Sequence, residues 1–182
     1  MLTITVPSVE LFNDETQMFI KTEPYTLELE HSLVSLSKWE SEFQKPFLAP
    51  GEKTTEEAFG YIRAMNMTPN IPEDVFLRLY GTPEIVLKIN DYIESKETAT
   101  TFREFPNKVG SREIVTAEII YYWMISLQIP VDRENWHLNR LITLIKVLNE
   151  KNAPQKKMSR AELAAHNREL VAKRRQQLGT NG

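Results

Sequence analysis

The hydrophobic period of this chain changes once, near residue 30, and no other feature restricts its fold as much. Upstream, Leu2, Ile4 and Val6 alternate with Thr3 and Thr5, and Tyr25, Leu27 and Leu29 alternate with Thr26, Glu28 and Glu30. Period 2 marks strands with one wet face, because successive side chains of extended backbone point to opposite sides. Between these runs, Val9 to Phe12 and Met18 to Ile20 flank Asn13-Asp14-Glu15, a hairpin pattern. The expectation is an antiparallel sheet of three or four strands within residues 1–30. So small a sheet needs a helical layer against its apolar face.

From Ser32 onward the apolar residues recur at helical spacing. Leu33, Leu36, Trp39 and Phe43 form a first stripe, closed by Pro46 and the Pro50-Gly51 loop. Thr54 with Glu57 three residues on is a capping box, and Ala58, Tyr61, Ile62 and Met65 follow as one face. Val75, Phe76 and Leu79 predict a short helix. Thr82-Pro83 predicts an N-cap with proline at the first helical position, ahead of Ile85, Ile89, Tyr92 and Ile93. Residues 98–110 read as irregular. A helix expected to start at Ser111 is apolar nearly all round, from Ile114 to Ile125, the pattern of a central bundle helix. Beyond Pro130, Asp132 reads as the cap of a helix buried through Leu138, Leu141, Ile142, Ile145 and Leu148. The whole predicts an α+β fold, with a small N-terminal antiparallel β-sheet (1–30) packed on a helical bundle (31–150) as one domain. A basic linker and protruding C-terminal helix (151–182) complete it.

The charge divides at that last boundary. Residues 1–150 carry 14 Lys and Arg against 23 Asp and Glu, whereas residues 151–182 carry 8 against 2. The tail helix, opened by a second capping box at Ser159 and Glu162, has only a thin apolar line, Leu163 and Leu170 beside Val171. Such a stripe frays alone or packs on a partner. Nucleic acid is one candidate partner, since Lys and Arg neutralise phosphates. The tail has no aromatic residue for base stacking, however, and the acidic body repels a polyanion. An acidic protein surface, including a neighbouring copy, is the preferred reading over nucleic acid. Leu163, Leu170, Arg174 and Arg175 are the candidate contact residues, with Trp39 as a second site.

Chemistry-bearing motifs are absent. The chain has no cysteine, no Gly-x-Ser-x-Gly and no glycine-rich phosphate loop. Glu134 and His137 resemble half of a carboxylate–histidine metal motif, without a matching half. His31 beside Ser32 reads as a strand-to-helix junction in which Ser32 caps. No enzyme activity, metal or cofactor is expected. Tyr121, Tyr122, Trp123 and Trp136 read as core rather than contact. No apolar run approaches the roughly 20 residues of a membrane span, and the first residues lack the pattern of a signal peptide. A soluble, cytoplasmic protein is expected.

Several stretches resemble a group of small proteins from the tail-morphogenesis region of tailed bacteriophages. These are Leu29 to Glu40, Lys45 to Leu48, Lys53 to Glu57, Ala117 to Met124, Trp136 to Leu141 and Arg174 to Gly179, spread along most of the chain. The resemblance implies a tail assembly chaperone: mostly helical, non-enzymatic and resident in the host cytoplasm. Such a protein coats the long, aggregation-prone tape-measure protein and delivers it to the tail-tube protein. An alternative is a structural virion component, a head–tail or tail-tip adaptor whose N-terminal strands pair edge to edge with neighbours. A nucleic-acid-binding regulator using the basic tail is a third reading.

Overall fold

The computed structural model describes residues 1–13, 17–102 and 114–153, and beyond them Ala164, Asn167, Arg168, Leu170, Val171 and Arg174. The chain divides into two compact units, Met1–Leu148 and Asn149–Gly182. The first is α+β, in the order β1 (Leu2–Val6), β2 (Glu10–Asn13), β3 (Met18–Lys21), β4 (Tyr25–Leu29), α1 (Leu33–Phe43), α2 (Thr55–Ala64), α3 (Glu73–Tyr80), α4 (Pro83–Glu94) and α5 (Ala117–Ser126). A 3₁₀ turn (Val131–Asn135) and α6 (Leu138–Asn152) follow. The described residues of the second unit beyond Ala153 are helical.

The strands form two ladders rather than one sheet of three or four. β1 pairs antiparallel with β4, and β2 pairs antiparallel with β3. Both ladders share one offset: Leu2 faces Leu29, Val6 faces Tyr25, Glu10 faces Lys21 and Asn13 faces Met18. They are two stretches of one long hairpin. The break falls where Pro7 and Pro24 would be opposite, since neither can donate a ladder hydrogen bond. Arg78 of α3 fastens the break. Its guanidinium donates to the Pro7 and Glu23 carbonyls and to Thr22 Oγ1 at 2.9–3.0 Å, and pairs with Asp74 at 3.1 Å. The inner ladder obeys the expected alternation: Ile4, Val6, Leu27 and Leu29 are buried, while Thr3, Thr5, Thr26 and Glu28 face out.

Two apolar cores hold the first unit. In one, Ile4, Val6, Leu27 and Leu29 meet Trp39, Tyr61, Ile62 and Met65, with Val75, Leu79, Ile85 and Ile89 from α3 and α4. In the other, Leu33 and Leu36 meet Ala117, Ile120 and Met124 of α5, with Ile129, Leu138, Leu141 and Ile145. Helix α1 therefore serves both, and Phe47 packs against each.

Local signals set several helix starts. Ser32 Oγ accepts from Ser35 N at 3.3 Å, and the Thr54/Glu57 box closes in both directions. Thr82 precedes Pro83 as expected but makes no side-chain cap; its hydroxyl donates to the Arg78 carbonyl instead. On α2, Ala58 is exposed and Gly60 is buried. There a Cβ would meet the Phe43 ring at 2.5 Å, so the missing side chain lets α1 and α2 approach. Asp132 lies in the 3₁₀ turn and does not start α6, whose Leu138 N–H is bonded to the His31 carbonyl at 2.7 Å. Helix α5 begins at Ala117, not Ser111, which lies outside the described residues. Its start is set from a distance: Glu40 of α1 accepts the Ala117 N–H at 2.7 Å and the Phe47 N–H at 2.8 Å. This nearly buried carboxylate satisfies one of the donors that a helix N-terminus leaves free.

Candidate interaction surface

Helix α5 is apolar nearly all round, yet among the described residues the fold covers one side only. Ala117, Ile120 and Met124 are buried, whereas Tyr122 and Ile125 are 66% and 74% exposed. Those two residues, three apart, lie side by side on the helix surface. Glu118 and Ser126, four residues either side of Tyr122, are also exposed and mark the wet face. Ile114 before the helix and Val131 after it are more than half exposed. The expectation of a central bundle helix is thus corrected: among the described residues α5 is a peripheral helix, with Tyr122 and Ile125 on its exposed face. Tyrosine is among the residues enriched at the anchor points of protein–protein contacts.

The neighbouring side chains are held in place. Tyr121 donates to Glu134 Oε2 at 2.9 Å, and burial, then that carboxylate, push its hydroxyl up to about 12. The Arg133 and Arg140 guanidinium groups lie 4.6 and 4.2 Å from the half-buried Trp136 ring. Of the aromatic group read as core, Tyr122 is therefore outward.

Trp39 is the opposite case. Read as a second contact residue, it is 2% exposed. Its Nε1 donates to the Glu57 carbonyl at 2.7 Å, its ring stacks on Phe43 at 4.9 Å, and Phe47 meets it edge-on at 5.0 Å. It is a core residue with no surface to offer. In the tail, Leu170 is 42% exposed, and Val171, Arg168 and Arg174 are also exposed. Leu170 and Arg174, four apart, share a helix face. Leu163 and Arg175 lie outside the described residues.

A polar seam joins the cores. His31 Nδ1 and the Tyr61 hydroxyl are 2.5 Å apart, and the His31 and His137 rings meet edge-on at 4.9 Å. His137 Nε2 donates to the Tyr92 carbonyl at 3.0 Å, and the Tyr92 hydroxyl donates to Glu30 at 2.6 Å. Burial, and secondly His137, lower His31 to about 3. Burial, with Glu30 next, pushes both tyrosine hydroxyls well above their ordinary range. At 3% and 6% exposure the two histidines are closed to a substrate from solvent, so the seam is a structural joint. Glu134 and His137, the half motif for a metal, are committed to different partners, Tyr121 and Tyr92. Among the described residues no group of three His, Cys, Asp or Glu is placed to hold a metal ion, and no helix is long and apolar enough to cross a membrane.

No family model, no curated protein and no solved structure matches this chain.

Proposed function

We propose that this chain is a tail assembly chaperone of a tailed bacteriophage, acting in the host cytoplasm. It binds amphipathic helical segments of a tape-measure protein and keeps them soluble until the tail-tube protein takes over. The carrying observation is the exposed face of α5, where Tyr122 and Ile125 stand on an otherwise well-packed body. A helix laid against such a face buries its own apolar stripe, the helix-in-groove mode of recognition. The acidic charge of residues 1–150 keeps the loaded complex soluble. The exposed Leu170 and Arg174 of the tail give a second, basic contact for an acidic helix face.

The test is capture of tape-measure fragments by the tagged chain and by two double variants. Y122D/I125D is expected to lose capture with the body still folded, because neither side chain is buried. L163D/L170D is expected to weaken it. Undiminished capture by Y122D/I125D removes the α5 face from the reading. Stoichiometric recovery of the chain in purified particles would replace the chaperone by the structural-component alternative.

A further inference from the structure

We propose that β1 is a self-pairing edge, through which two copies of this chain form one continuous antiparallel sheet about a two-fold axis at Ile4. Among the described residues β1 has one ladder neighbour, β4. The far edge of β4 is covered at its C-terminal end: Glu30 N–H donates to the Met65 carbonyl, Met67 N–H to the Glu28 carbonyl, and Glu28 N–H to Thr68 Oγ1, at 2.8–2.9 Å. Those bonds also fix which backbone groups of β1 are free. In an antiparallel ladder the pairs alternate between those that exchange both bonds and those that turn away from each other. Glu28 turns away from β1, so Thr3, its register partner, turns away from β4. Two residues on, Thr5 faces Thr26 and does the same. The outward N–H and C=O groups of β1 therefore belong to Thr3 and Thr5, whose side chains are exposed.

The sequence of this edge names the occupant. Leu2-Thr3-Ile4-Thr5-Val6 reads apolar, Thr, Ile, Thr, apolar in both directions. Laid antiparallel on a second copy and centred on Ile4, it sets Leu2 opposite Val6, Thr3 opposite Thr5 and Ile4 opposite Ile4. Thr3 and Thr5 are the residues that carry the free groups, so each Thr–Thr pair exchanges two backbone bonds across the axis. Apolar residues then meet on the buried face, and cross-strand threonines, a favourable pairing, meet on the wet face. An interface of this kind is isologous and closes at two copies. It widens a two-stranded ladder, marginal by itself, to four strands, β4–β1–β1–β4. The inference stands apart from the chaperone reading and from the α5 face.

Sedimentation equilibrium of the full chain, from about 1 µM to about 1 mM, tests it over the range of weak to moderate association. The wild type is expected to reach twice the 21.2 kDa of one chain. T5P deletes an outward N–H without touching the β1–β4 ladder and is expected to weaken association about tenfold or more. T3K/T5K sets like charges across both Thr–Thr pairs and is expected to give monomers. T3K/T5E sets opposite charges there and is expected to restore the dimer. A wild type that stays monomeric throughout overturns the proposal. So does a dimer indifferent to T3K/T5K, or one that T3K/T5E fails to restore while each variant keeps its near-ultraviolet circular dichroism.

Discussion

Mild acid should loosen the seam between the two cores, and His31 sets how much. In the folded chain this imidazole is held neutral down to about pH 3 by burial and by His137 beside it. In the unfolded chain it takes a proton near pH 6.5. Because the folded value is depressed, the unfolded state binds the extra proton, and stability falls as pH drops through 6.5 toward 3. Between pH 7.5 and pH 5.5 the unfolded form gains about tenfold in weight, or about 1.4 kcal/mol. For a chain of this length that lowers Tm by roughly 3–5 °C. Carboxylates of ordinary pKa contribute little above pH 5.5, so the window isolates histidine. The assay is thermal unfolding at several pH values, followed by near-ultraviolet circular dichroism. In H31Q the amide can still bond to the Tyr61 hydroxyl but cannot titrate, and most of the slope should vanish whatever the absolute Tm. A wild type whose Tm is flat from pH 7.5 to 5.5, or an H31Q that keeps the full slope, refutes the reasoning.

Three further outcomes follow from the packing. E40A leaves the buried Ala117 N–H and the Phe47 N–H without their acceptor, and should cost about 2–4 kcal/mol in urea unfolding. R78M removes the clamp at the proline break while keeping its aliphatic bulk. Hydrogen exchange at Val9, Thr22 and the β2–β3 ladder should accelerate well beyond that of β1–β4. L36A, in the second core, should cost about 2–5 kcal/mol, a cavity penalty read from the same urea curves.

What the sequence revealed was local. Strand alternation in Leu2–Val6 and Tyr25–Leu29 and the box at Thr54 depend on residues within a few positions, and the structure contains them as read. Pairing is not local. Nothing in the β pattern alone says that β1 returns to β4 rather than to β2, although the facing Pro7 and Pro24 were a usable sign of where the hairpin must break. The start of α5 was misjudged because its carboxylate partner, Glu40, lies 77 residues upstream.

The exposed face of α5 was hidden for a related reason. A helix apolar all round does not declare which side its neighbours will cover, so Tyr122 read as core. The polar pair Glu118 and Ser126 on the same face was the available clue. Trp39 erred the other way. A tryptophan near a proline loop suits an interface, but the return of the Glu57 carbonyl onto its indole makes it a core residue.

The proposed function meets its most direct test in co-expression with the long, helix-rich tape-measure protein of the same phage. The wild-type chain should bring that protein into the soluble fraction and co-purify with it, and Y122D/I125D should leave it insoluble. A tape-measure protein that stays insoluble beside the wild type, with this chain eluting alone, would contradict the chaperone reading.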